Sequence, residues 1–168
     1  MLRLVSRLVW TLPILAAAAL LGASGIEAQV GDAQNDEERA VIAAAQAVFD
    51  AMEALDAEAF RNAVVPDGFL LSVGPGTTRR STRDQFAANI ARQTTPMIER
   101  MWDPEVRIDG PVATLWTAYD FYRGAEFSHC GTDAFQLAKT AEGWKVVVIS
   151  YTSQAPPECS THPEGPPR

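Results

Sequence analysis

The segment Phe127-Ser128-His129-Cys130-Gly131-Thr132-Asp133 brings an imidazole, a thiol and a carboxylate into seven residues. An imidazole moves protons near neutral pH, a thiolate is a nucleophile, and a carboxylate can orient either of them. Strand geometry limits how these three combine. Neighbouring strand residues point to opposite faces, so His129 and Cys130 do not form a dyad, and two strand steps leave His129 and Asp133 roughly 13 Å apart at the backbone. A partner for His129 therefore has to come from across a hairpin. With Gly124-Ala125 as a two-residue turn, Arg123 pairs with Glu126, Tyr122 with Phe127, Asp120 with His129, and Trp116 falls opposite Asp133.

In that register one face carries Trp116, Asp120, Tyr122, His129, Gly131, Asp133 and Phe135. Apolar walls with a few convergent polar atoms, and a glycine where a ligand can approach, describe a small-molecule pocket. His129 and Asp120 are then the acid–base pair, with Asp120 fixing the imidazole tautomer and raising its pKa; Trp116, Tyr122, Asp133 and Phe135 are the ligand-contacting set. The competing reading makes Asp120 and His129 an exposed cross-strand ion pair, and a slip of one residue would send every side chain to the other face. Arg79 and Arg80 could meet an anionic ligand from a loop or simply be solvated, and Glu99 and Arg100 have no evident partner.

The elements that would position these residues follow from periodicity. In a chain of 168 residues with 47% hydrophobic content, a single domain with a true core is expected. Acidic Asp36, Glu37 and Glu38 open a helix whose apolar stripe is Val41, Ile42, Ala45, Val48, Phe49, Met52 and Leu55. A short helix over 57–63 and a strand over 69–73 follow, closed by Gly74-Pro75-Gly76; Thr82 and Gln85 form a capping box for a helix reaching about Gln93. Strands are expected over 97–109, 112–122, 127–139 and 144–151, separated by glycine turns. This order gives an α+β fold, a curved antiparallel sheet with N-terminal helices against one face.

Arg3 and Arg7 ahead of the apolar run Leu8–Leu21 read as an export signal over 1–28, cleaved after Ala28 or retained as an anchor. Residues 29–35 form a flexible lead, 36–153 the domain and 154–168 a proline-rich tail, which places the domain in the periplasm or outside the cell. In such a compartment Cys130 and Cys159 are expected as one disulfide, the tail bending back at Ala155-Pro156-Pro157. Zinc on His129, Cys130, Cys159 and His162 matches no known spacing, so no metal is expected. A net charge of −7 without a basic stripe argues against nucleic acid. No nucleotide loop or nucleophile elbow supports a cofactor.

Trp116 with Tyr119, His129-Cys130-Gly131 with Asp133 and Phe135, and Gly143-Trp144-Lys145 carry a further signal. With the order of elements from Asp36 to Ser153, they resemble the nuclear transport factor 2-like superfamily, in its SnoaL-like or "putative lumazine-binding" bacterial branch. The resemblance implies a cystatin-like roll, a sheet curled around a long helix into a cone, and often a homodimer. It does not imply one activity. Apolar residues on both faces of the last strand, Trp144, Val146 and Val148 toward the cone and Val147, Ile149 and Tyr151 behind it, likewise point to a homodimer through the sheet backs. Three functions stay open: an exported small-molecule-binding or accessory domain; a cofactor-independent isomerase, dehydratase or hydrolase using His129 and Asp120; and a homodimeric association domain with a collapsed cone.

Overall fold

The computed structural model describes residues 23–156 and 158–167. The basic start and apolar run of the expected export signal lie outside the described residues. The chain divides into two units, Met1–Gln34 and Asn35–Arg168, and the second holds the fold. Helix α1 (Ala23–Glu53) begins ahead of the expected Asp36 start and takes in residues 29–35. Its buried residues Val41, Ala45, Val48, Phe49 and Met52 recur at the three- and four-residue steps that line one face of a helix. Helix α2 (Ala57–Ala63) is capped by Asp56, whose carboxylate accepts from the Glu58 and Ala59 amides. Helix α3 (Arg83–Ile90) carries the full Thr82–Gln85 capping box and stops three residues short of the expected end.

The described residues form six strands, with α3 between the second and third: β1 (Val64–Gly74), β2 (Thr77–Thr82), β3 (Met97–Asp109), β4 (Val112–Arg123), β5 (Glu126–Thr140) and β6 (Gly143–Thr152). They form one sheet in the order β2-β1-β6-β5-β4-β3, antiparallel except for the parallel β1–β6 pair. Strand β2 was not expected; Gly76 at φ +69° turns the chain back so that Thr77–Thr82 pairs with β1. The sheet curls around the helices, and Phe49 of α1 meets Phe135 of β5 edge to face at 5.8 Å.

Three irregularities decide which side chains look inward. The β3–β4 register shifts between Trp102 and Glu105, where Asp103 takes φ +51° and Pro104 offers no N–H. The β4–β5 register shifts at Ser128, so Phe121 rather than Asp120 stands opposite His129. The β5–β6 register shifts at Val147, so Trp144 and Val146 are buried inside while Ile149 and Tyr151, expected on the back, also turn inward. Each extra residue reverses the in–out alternation beyond it and bends the sheet.

The tail straps the outer face. Cys130 and Cys159 form the expected disulfide, and Cys130 and Gln154 exchange two backbone hydrogen bonds. Asp120, fully buried, accepts a two-pronged hydrogen bond from Arg100 at 3.0 and 2.6 Å and a third from the His162 amide at 2.9 Å. Arg100 also donates to the Gly165 carbonyl at 2.7 Å, and Trp102 meets the His162 ring edge to face.

Candidate functional site

A cavity of about 190 Å³ opens between the inner sheet face and the helices. That is room for about six waters, or one small organic molecule. Val48, Phe49 and Met52 of α1, Phe86 of α3 and Ile149 of β6 supply apolar wall; Asn89, Glu99, Tyr119, His129 and Asp133 supply the polar part; the exposed Arg79 and Arg123 also line it.

The polar floor is built by sheet register. Glu99, Phe121 and His129 form one cross-strand row, Met101, Tyr119 and Gly131 the next, and Thr117, Asp133 and Tyr151 the one after. Gly131, expected as a gap for ligand, is instead where the chain crosses itself: a Cβ there would lie 2.1 Å from the Thr152 carbonyl oxygen and 2.8 Å from the Tyr119 ring. Tyr119 donates its hydroxyl to that same carbonyl at 2.7 Å, so the phenol is committed to the fold. Burial and the nearby carboxylates push its pKa up.

Asp133 is 1% exposed, and its Oδ2 has no hydrogen-bond partner among the described residues. Glu99 lies beside it. Burial pushes the Asp133 carboxyl up to about 7, and a hydrogen bond with Glu99 partly offsets that rise. Glu99 is raised well above the usual carboxylate range, first by burial and then by the charge of Asp133. Two adjacent carboxyls resist ionising together, so the pair keeps a proton to higher pH than free carboxyls do. His129 moves the other way. Burial, then the charge of Arg123, lower its pKa and keep the imidazole neutral. Its Nδ1 lies 3.0 Å from Ser128 Oγ, and its ring is stacked on Phe121 at 4.7 Å and edge-on to Tyr119 at 5.8 Å.

Of the residues singled out from sequence, His129 and Asp133 line the cavity together. Asp120 does not join them: the Ser128 bulge puts it behind the sheet, bound to Arg100. Tyr122 follows Asp120 to that side, its ring 5.4 Å from the Arg100 guanidinium. Trp116 faces Ala134 rather than Asp133 and is 58% exposed on the outer face. Phe135 is core, against Phe49. Glu99, left without a partner in the sequence, joins Asp133 in the site. The alternation Met97-x-Glu99-x-Met101 sets a carboxylate between two methionines on one strand face, and that signal was available.

Among the described residues no group of three or more His, Cys, Asp or Glu is placed to hold a metal ion. No helix among them is long and apolar enough to cross a membrane.

Comparison with known proteins agrees with the fold. The family model described as "Putative lumazine-binding" matches residues 36–152. No curated protein matches the chain. Among solved structures, an Rv3472 variant from Mycobacterium tuberculosis, described as a protein of unknown function, shares 18% identity at a TM-score of 0.63, covering 73% of this chain and 75% of its own. An NTF2-like protein with a cystatin-like fold from Novosphingobium aromaticivorans shares 20% identity at a TM-score of 0.62, covering 83% and 95%. A protein described as a putative dehydratase of the NTF2-like family from Streptomyces avermitilis shares 17% identity at 0.56, covering 71% and 97%. At these identities the likeness is one of fold.

Proposed function

The chain belongs to the "Putative lumazine-binding" family of the nuclear transport factor 2-like superfamily, and from that membership we propose that it is an exported domain that binds a small molecule inside its cone. One observation carries the reading: Asp133 Oδ2 is buried, unpartnered and on the cavity wall. A buried carboxyl oxygen without a partner costs free energy unless something fills the space, and a ligand hydroxyl or amine would meet it. The hollow speaks against an association domain with a filled cone. The disulfide is consistent with an oxidising compartment, and with it export through the segment 1–28. The test is native mass spectrometry of the exported protein: a co-purifying small molecule, lost in Asp133→Leu, supports the reading, whereas an empty protein that takes up no member of a chemically diverse library opposes it.

A second reading is favoured by the opposed pKa shifts of His129 and the Glu99–Asp133 pair, the arrangement that lets one site hold a base and an acid at the same pH. Here the domain is a cofactor-independent isomerase, dehydratase or hydrolase, with Glu99 and Asp133 in place of Asp120. Neutral His129 takes a proton from the ligand. The carboxyl pair gives its proton to the ligand oxygen that gains charge, so no net charge is left on the ligand. In an isomerisation that oxygen is a carbonyl: His129 hands its proton to another carbon while the enol O–H proton returns to the carboxyl pair; in a dehydration it is a hydroxyl, whose C–O bond breaks as the C=C bond forms so that it leaves as water. Undiminished turnover of an identified substrate by His129→Ala would remove this reading.

The outer face supports a homodimer. Trp116 and Val112 are more than half exposed there, and Phe69, Leu71, Trp116 and Val148 line one shallow apolar depression. Val148 stands where Ile149 and Tyr151 were expected. Light scattering of wild type and Trp116→Glu measures this directly: a dimer that dissociates in the variant supports it, and a monomeric wild type does not.

A further inference from the structure

Strand β2 sends its two arginines to opposite sides of the sheet. Arg80 lies over the Phe69 ring at 4.3 Å on the outer face, whereas Arg79 lines the inner cavity. Arg123, at the end of β4 on the other flank of the sheet, lines the same cavity. Among the described residues neither Arg79 nor Arg123 makes an ion pair or a side-chain hydrogen bond to another residue. Arg61, Arg83 and Arg100 each have a carboxylate partner. Two guanidiniums without a carboxylate partner among the described residues line one cavity in a protein whose net charge is −7.

We propose that the pocket takes a small organic monoanion whose carboxylate sits between Arg79 and Arg123 at the rim and whose far end presents a hydroxyl or carbonyl to Glu99 and Asp133 on the floor. The charges inside add up in favour of this class. The two arginines bring positive charge and the carboxyl pair resists taking two negative charges, so the pocket keeps an excess of positive charge that an anion neutralises. Arginine suits the rim because its fork matches a carboxylate through paired hydrogen bonds. The floor suits an uncharged oxygen, because the shared proton can be donated and the unpartnered Asp133 Oδ2 can accept. A dianion would bring a second negative group against the buried carboxyls, so the far end must be neutral. Apolar wall from Phe49, Met52, Phe86 and Ile149 favours a flat, largely hydrocarbon body between the two ends.

The inference rests on the binding reading above, and the test separates the two. Full-length mature protein is titrated calorimetrically with 4-hydroxybenzoate, with its neutral amide 4-hydroxybenzamide and with the dianion terephthalate. The expected order is 4-hydroxybenzoate tighter than the amide by about tenfold or more, with terephthalate weakest. That preference shrinks as salt rises from about 50 to 500 mM and disappears in Arg79→Gln/Arg123→Gln, which still binds the amide. Equal affinity for acid and amide, or a preference that survives in the double variant, overturns the anion assignment while leaving a binding pocket. Binding of none of the three overturns the assignment too, and the library measurement then decides whether the pocket reading itself stands.

Discussion

Phe121 stands directly across the β4–β5 ladder from His129, and the two rings overlap at 4.7 Å with their planes tilted by 32°. The contact covers one face of the imidazole and withholds water from it. His129 is therefore expected to titrate below the ordinary histidine value. The sign of the stability effect follows: protonation is harder in the folded protein, so folding free energy from this group is present above pH ~6.5 and is lost as pH falls through the lower, folded value. Heteronuclear NMR titration of the ring measures it; Phe121→Ala should move the midpoint back toward the ordinary value.

The carboxyl pair has the opposite signature. Glu99 and Asp133 bind protons more tightly folded than unfolded, so stability from the pair is fully present below about pH 4 and declines as pH rises through about 7. Asp133→Asn removes that penalty. At about pH 8 the variant should be more stable than wild type by on the order of 1–2 kcal/mol, with the difference closing by about pH 4. Urea unfolding at both pH values provides the check, and a pH-independent difference would mean that the carboxyl is not protonated in the fold.

Asp120 holds the strap rather than the pocket. Asp120→Ala leaves the Arg100 guanidinium without its paired acceptor and frees the His162 amide. The loss should be about 2–4 kcal/mol, with faster proteolysis within residues 154–167 and little change in affinity for a pocket ligand. A large loss of affinity with an intact strap would instead tie Asp120 to the ligand.

The Cys130–Cys159 bond closes a loop of sequence separation 29. Cys159→Ser should cost about 3 kcal/mol, read as a lower denaturation midpoint in non-reducing buffer and as no difference from wild type once both are reduced. Intact mass with and without reduction and alkylation establishes the bond: two thiols that alkylate before reduction would contradict it.

Most element boundaries were readable because they rest on short-range chemistry. The Asp56 and Thr82 caps, the α1 stripe and the glycine turns at Gly110, Gly124 and Gly143 each declare themselves within a few residues. The face assignments were not, because parity along a strand is a long-range count that one extra residue inverts. The turn pairs Arg123–Glu126 and Tyr122–Phe127 stand as expected, but Ser128 adds one residue to β5 and moves Asp120, Tyr122 and Trp116 off the cavity together. Val147 does the same to Ile149 and Tyr151. His129 and Asp133 share a face with each other whatever β4 does, and that is why both remain in the site. Strand β2 was hidden because Thr77-Thr78-Arg79-Arg80 is polar on both faces and reads as loop, although its neighbour β1 supplies the ladder.

The cone is expected to enclose a ligand against the Asp133 carboxyl. The most direct measurement is a crystal structure of the protein with the small molecule it retains or takes up. That molecule is expected between Met52, Phe86 and Ile149, with a polar atom within hydrogen-bonding distance of Asp133 Oδ2. A cavity closed by its own side chains, or a ligand seated only on the outer face beside Trp116, would contradict it.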